Sequence, residues 1–382
     1  MATKNSERGE PHGVRVAPVA SRGDLMRFIK LPLRLYRGDP NFVPHLISER
    51  KRFFSPANPL FEFTEVQYLL ARDGQGKVIG RVTAHINRRH NEFWNEKTGF
   101  FGFFECIEQF EAARALMRAA EDWLGARGMT AVRGPFNFST NEECGFLVEG
   151  FDRPPFLMMP YTKPYYLEFM DRLGYRRCKD LFAYYYEYPG SIPEHIVRVS
   201  SRIQERTGVT VRMIRTDNFE ESVKEAMQIY NAAWARNWGF VPMTDAEFRY
   251  MAHELKPIMD PAVALIAEKD GRPVGFSLGL PDYNILLRKM RGRLLPLGWL
   301  RFLLGRRAID RVRIITLGVI QEYRNQAIDI LLYYDTFRNG LRRGYRSCEM
   351  SWVLEDNVRM IRAIERMGGR RYKTYRIYEK AL

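Results

Sequence analysis

Three segments in the first half of this 382-residue chain return, in the same order, in the second half. DGQGKVIG at 73–80 parallels DGRPVG at 270–275, and ARGMTAVRGPFN at 126–137 parallels RRGYRSCEMSWVLEDN at 342–357. FMDRLGYRRCKDLFAYYYEY at 169–188 parallels AIERMGGRRYKTYRIYEK at 363–380. This order points to a distant tandem duplication, so whatever one half folds into the other must also approximate. Chance likeness between two α/β domains is the alternative. The seam falls between Pro189 and Gly208.

Apolar periodicity predicts one order of elements twice. In the first half, strands fall over 14–20, 66–72, 78–85, about 99–106, 130–134 and 181–188, with helices over 24–36, 110–127 and 164–173. Ala112, Leu116, Ala119, Ala120, Trp123 and Leu124 carry the helical spacing of the second helix, and Gly128 and Gly174 stop helices. In the second half, strands fall over 209–214, 263–268, 274–280, 312–320, 348–353 and 372–378, with helices over 219–234, 328–342 and 358–367. The reading is an α/β chain with mixed central sheets: a loose polar tail at 1–13, a lobe at 14–190, a linker or helix at 191–208 and a second lobe at 209–382.

A 46% hydrophobic and 13% aromatic composition supplies packed cores. Cys106, Cys144, Cys178 and Cys348 form no CxxC pair, and the histidines show no ligand spacing. This predicts a reducing cytoplasm, no disulfides and no metal. The tail lacks the apolar core of a signal peptide, and no apolar run reaches spanning length. The net charge of +15 fits nucleic acid, an anionic membrane surface or a phosphorylated ligand. No nucleic-acid motif accompanies it. Instead the densest basic segment, within 284–311, alternates Arg288, Lys289, Arg291, Arg293, Arg301, Arg306, Arg307 and Arg311 with leucines, Trp299 and Phe302. Broken by Gly292, Pro296 and Gly298, it predicts two short helices at a membrane interface, or a lid docked on the sheet. That places the protein in the cytoplasm, peripheral to the inner membrane.

LGVIQEYRNQAIDIL at 317–331 joins a strand to a helix through a polar turn, where free N–H groups and the positive end of the helix dipole suit a diphosphate. The strand-to-helix order in both halves resembles the acyl-CoA N-acyltransferases of the GNAT superfamily, and LGV followed by Arg324-x-x-Ala327-x-Asp329 resembles that family's cofactor motif. N-myristoyltransferases and Fem-type aminoacyl transferases also pair two such domains. FFGFFEC, RGPFNFSTNEECGFLVEGFD, MMPY, EMSWVLEDN and RRYKTYRIYEK extend the resemblance, over nearly the whole chain, to a bacterial tandem-GNAT branch akin to the bacterial ceramide synthases. The resemblance implies two GNAT-like domains, the C-terminal one binding acyl-CoA. It also implies transfer of a long acyl group to an amine such as a sphingoid base, by direct attack without an acyl-enzyme. A soluble acetyltransferase for a small amine or a protein N-terminus, or an inactive binding protein, is the alternative.

Carried onto this sequence, the cofactor-binding residues are Leu317, Val319, Arg324, Asn325, Gln326, Ala327, Ile328 and Asn357. Val319 offers its amide to the thioester carbonyl. Two positions depart from the pattern. Ala327 replaces a glycine, at about 1 kcal/mol if its φ is positive, and Asp329 must point away from the phosphates. Ile364 stands where relatives carry an acidic tyrosine. Glu349, Glu355 and Asn357 are the catalytic candidates, since base chemistry sits at strand ends; Asp356 or Asn357 equally suits a helix N-cap. In the polar loop 136–152, Asn141, Glu142 and Glu143 are substrate-binding candidates, with Trp352; a structural polar network is the other reading. Cys144 lacks a nearby histidine in sequence, and His85, His90, Asn91 and Glu92 read as a solvated strand end.

Overall fold

The computed structural model describes residues 13–290 and 298–382. The expected tail and the segment with Arg291, Gly292, Arg293 and Pro296 lie outside the described residues, as do the side chains of Trp299 and Arg301. The strands are β1 Arg15–Pro18, β2 Thr64–Arg72, β3 Val78–Asn87, β4 Thr98–Cys106, β5 Ala131–Gly134, β6 Phe146–Glu149, β7 Arg176–Glu187, β8 Thr210–Met213, β9 Ala264–Lys269, β10 Arg272–Pro281, β11 Arg311–Val319, β12 Ser347–Leu354 and β13 Arg370–Ala381. The helices are α1 Arg22–Leu35, α2 Ile47–Phe53, α3 Arg88–Trp94, α4 Phe110–Gly125, α5 Tyr165–Arg172, α6 Glu194–Thr207, α7 Phe219–Trp234, α8 Asp245–Leu255, α9 Asn284–Met290, α10 Gly298–Gly305, α11 Ile328–Arg343 and α12 Val358–Arg366.

The two halves share one sheet, ordered β1-β2-β3-β4-β5-β13-β7-β12-β11-β10-β9-β8, with β6 on β13. Each half has given its last strand to the other. β13 pairs with β5 of the first half (Tyr378↔Gly134), and β7 pairs with β12 of the second (Ser347↔Glu187). The two exchanged strands pair antiparallel from Arg370↔Tyr185 to Glu379↔Arg176, which is why both run longer than their apolar cores suggest. Joining the halves this way buries two strands that would otherwise be edges.

Helices cover both faces. Leu116, Met117 and Leu124 of α4 pack on Ile79, Val82 and Phe101, and α1 packs Phe28 and Ile29 against Phe54 and Phe103. In the second half, α7 and α11 bury Ile229, Leu331 and Leu332 against Ile266 and Phe276. The 191–208 segment contains α6, which buries Ile203 in the same core. The basic insertion supplies two short helices docked on the sheet. Leu286 and Met290 of α9 are buried, Phe302 of α10 stacks on Tyr283 at 4.9 Å, and Leu300 and Leu304 are left 40% and 72% exposed.

Candidate functional site

Two parallel strand pairs hold the same position in the two halves, and in each the strands separate. β11 and β12 pair only from Arg311↔Ser347 to Ile314↔Met350, after which β11 stays with β10 and β12 with β7. A bulge at Ile315 helps turn β11 away. Ile320 N–H donates to Val274 O at 3.0 Å, so by antiparallel alternation the N–H groups of Val319 and Leu317 face the opened side. Thr316 Oγ1 and Trp352 Nε1, one on each separated strand, are buried without a hydrogen-bond partner, and both residues line a cavity of about 210 Å³ between the strands.

Beyond β11 the chain makes a tight turn over Gln321–Gln326, then Ala327 takes φ 60° and starts α11 with no side chain capping its N-terminus. Ala327 therefore pays the left-handed penalty that glycine avoids. Ala327→Gly is expected to stabilise the protein by about 0.5–1 kcal/mol, measured by urea unfolding; a loss of stability would show that the methyl group packs usefully. Asp329 lies 3.9 Å from Arg359 of α12, which answers its charge. Arg324 does not supply the charge expected of it. Its guanidinium donates to Val319 O (3.2 Å) and to Ala233 O, tying the end of β11 to α7. The Gln326 carbonyl and side-chain oxygens instead draw Arg206 and Lys269 (3.5 and 3.3 Å) to the turn. Asn325 is exposed, Ile328 is buried under the helix start, and Leu317 packs against the α7 and α12 sides of the sheet.

In the first half, β4 and β5 part after Phe100↔Arg133, but the opening is filled by the chain itself. Phe136 N–H donates to Phe101 O and Phe103 N–H to Asn137 Oδ1, both at 2.8 Å. Gly102 is required here, because a Cβ would stand 1.8 Å from Phe136 O. The segment that plugs this slot continues as the polar loop and carries Asn141, Glu142 and Glu143 toward the second half.

That loop separates the smaller cavity from a larger one of about 470 Å³. Asn141, Glu142, Cys144, Met158, Met251 and Leu255 line both. Tyr230 of α7 donates to Asn141 Oδ1 at 2.6 Å. Arg50 of α2 bonds Glu143 at 3.0 Å and lies 3.5 Å from Glu49. Glu142 opens partly into the cavities. Desolvation by the surrounding protein, opposed by Arg50 and reinforced by Glu143, Glu49 and Glu247, pushes its carboxyl up to about 8. Burial raises the Cys144 thiol, the wrong direction for a nucleophile.

The strand-end carboxylates are occupied elsewhere. Glu349 is fully buried, accepts from Ser351 Oγ at 2.6 Å and from Tyr372, and lies 3.6 Å from Arg313. It lines neither cavity. Glu355 pairs with Arg177 and accepts from Asp180 N–H at 3.2 Å, fastening β12 to β7. Asp356 pairs with Lys179 at 2.9 Å. Asn357 caps α12, accepting from Met360 N–H at 3.2 Å. Neither Glu355 nor Asn357 faces the opened strands as a free acid–base group. Ile364 is core, 1% exposed. Of the expected solvated cluster only Glu92 is exposed: His85 is 0% exposed in β3, His90 is 6% exposed, and the half-buried Asn91 bonds the Thr98 main-chain N–H and carbonyl through its side-chain amide (3.1 Å each). Arg50, Thr316 and Tyr230 were not singled out by sequence. None sits in a motif, and only the fold gathers them.

A strand pair opening beside an uncapped helix, repeated with its last strands exchanged, defines the GNAT fold in tandem. A tandem GNAT protein from the clavulanic acid biosynthesis pathway has this fold (TM-score 0.56, 14% identity, 96% of this chain and 98% of that one). So does a GCN5-related N-acetyltransferase from Sphaerobacter thermophilus (TM-score 0.53, 15% identity, 96% and 95%). No established family profile matches the chain. Among curated relatives, Bacterial ceramide synthase from Caulobacter vibrioides is 38% identical over 378 residues, 96% of this chain and 97% of its own. Protein YghO from Escherichia coli (strain K12) is 36% identical over 369 residues, 95% and 94%. The chain belongs to the family of tandem GNAT proteins that includes bacterial ceramide synthase.

Proposed function

We propose that the protein transfers a long acyl group from acyl-CoA to the amine of a sphingoid base. The observation that carries this reading is the opened β11 edge on a cavity to which the other half delivers Glu142. The coenzyme's diphosphate suits the start of α11, where helix N–H groups lack a cap and Arg206, Lys269 and Arg359 lie nearby. Its arm suits the opened strand edge, and the unpartnered Thr316 and Trp352 donors suit polar groups lying between the strands. In this reading the Val319 or Leu317 amide stabilises the oxyanion as the amine attacks the thioester carbon. Glu142 carboxylate takes the proton that frees the amine's lone pair. The new N–C bond forms, the C–S bond breaks as the tetrahedral intermediate collapses, and the second nitrogen proton passes through solvent to the departing thiolate. The relationship to bacterial ceramide synthase supports the choice of donor and acceptor.

Free CoA released from palmitoyl-CoA with sphinganine, followed by thiol titration, is expected to exceed release from acetyl-CoA by at least tenfold. A maximum at acetyl would favour a small-amine acetyltransferase, and no CoA binding by calorimetry would favour an inactive binding protein. The exposed Leu300 and Leu304, followed by the exposed Arg306 and Arg307, suit contact with an anionic bilayer. Leu304→Glu is expected to weaken cosedimentation with phosphatidylglycerol vesicles several-fold. Equal cosedimentation would remove α10 from the membrane face.

A further inference from the structure

The proposed function leaves the larger cavity without a coenzyme role, yet it is the more spacious of the two, at about 470 Å³. That volume falls within the range of about 300–1,000 Å³ that encloses whole small ligands. Its charge runs against that of the molecule. In a chain with a net charge of +15, six glutamates line it against three arginines. Three are answered locally. Arg52 pairs with Glu254 at 3.0 Å, Arg89 from outside the cavity pairs with Glu247 at 2.9 Å, and Glu105 is met by Arg81 and the Tyr36 and Tyr166 hydroxyls (3.0 and 2.8 Å). The remainder is an imbalance at one spot: Glu49, Glu142 and Glu143 gather around the single guanidinium of Arg50. From there the wall becomes apolar, through Val43, Leu46, Phe53, Leu287 and Phe302.

We propose that the larger cavity is the acceptor's own site, taking a long-chain primary amine with its ammonium among Glu49, Glu142 and Glu143 and its alkyl chain along that apolar wall. This rests on the acyltransferase reading and assigns the acceptor to a cavity apart from the coenzyme. The geometry gives each feature a task. A cation completes the set of charges that Arg50 leaves short, and the turn suited to the diphosphate does not line this cavity, so its glutamates meet no phosphate. The amine then lies at Glu142, the boundary shared with the opened strands. Glu49 is held with its carboxyl raised by desolvation, as Glu142 is, which is the state that an arriving ammonium reverses.

The test is calorimetric binding of sphinganine, and of linear amines from eight to eighteen carbons, to the full-length protein without acyl-CoA. Affinity is expected to rise about fourfold per methylene, the equivalent of about 0.8 kcal/mol, until the cavity is full. The alcohols of equal length are expected to bind at least tenfold more weakly. Val43→Trp in the loop before α2 and Leu287→Trp in α9, both outside the smaller cavity, are expected to weaken amine binding at least tenfold with acyl-CoA affinity unchanged. Amines and alcohols binding alike would overturn the proposal. So would folded tryptophan variants that hold the amine as wild type does, or that lose acyl-CoA instead. Amine binding intact in a protein that binds no acyl-CoA would support this site while rejecting the acyltransferase reading.

Discussion

Glu142→Gln is expected to lower kcat/KM for amine acylation by about 10²–10³ at pH 8, with acyl-CoA affinity within twofold of wild type. The amide keeps the shape of the side chain and removes its basicity, so a purely structural role would leave the rate nearly intact. The pH dependence separates the two further. With its carboxyl pushed up to about 8, Glu142 is protonated at neutral pH and becomes a base as pH rises through that value. Wild-type activity should climb to about pH 8 and level off, and the glutamine variant should lose that limb. Stability moves the other way. A carboxyl whose folded value lies above its ordinary one binds a proton in the folded state that the unfolded chain has released. Wild type therefore loses stability as pH rises from the ordinary carboxylate range to about 8, and the variant should be comparatively more stable at pH 8 than at pH 5. Unchanged kinetics together with an unchanged pH profile would remove Glu142 from the chemistry.

Glu349→Ala is expected to cost about 3–5 kcal/mol of folding stability, read as a drop in Tm and in the urea midpoint. The substitution strips the partner from Arg313, which is 2% exposed in the centre of the sheet and otherwise donates to Ser351 Oγ and to the Leu157 and Met158 carbonyls (2.8, 2.8 and 3.0 Å). An uncompensated buried guanidinium is the source of the loss, so Arg313→Met combined with Glu349→Leu should recover most of it. A loss below about 1 kcal/mol would mean that the pair is solvated in a way its burial does not allow. Arg313 lines the smaller cavity, so the double variant also reports whether the guanidinium contributes to transfer or only to the sheet.

Much of the architecture was legible along the chain because it is local. Alternating apolar residues marked β2, β3, β9 and β10, and helical spacing marked α4 and α11. The turn before α11 was recognisable although its glycine is Ala327. Three helices were missed. For α8 a signal existed: Thr244 and Glu247 form a capping box, with Thr244 Oγ1 accepting from Glu247 N–H at 3.2 Å. α2 and α3 are seven residues each, too short to establish a period.

The candidate site was less legible, for a physical reason. A carboxylate at a strand end reads the same whether it faces a cleft or a neighbouring arginine, and only packing distinguishes them. Glu355 was drawn to Arg177 by β7, a strand exchanged from the other half. Glu142, on a loop in the half without the cofactor turn, was brought to the opened strands by the same joining of halves.

By itself the sequence determined the repeat, the order of elements, the helix start suited to a diphosphate and the polar loop, because each depends on neighbours within a few residues. Only the tertiary structure decided which half's strand opening stays open. Phe136 and Asn137 satisfy the first half's free edge, whereas the β11 edge has no such segment among the described residues. It likewise decided which carboxylates are spent in ion pairs and which face the cavities. Those outcomes depend on hydrogen bonds and desolvation between groups far apart in the chain, and pairing of that kind leaves no periodicity to read.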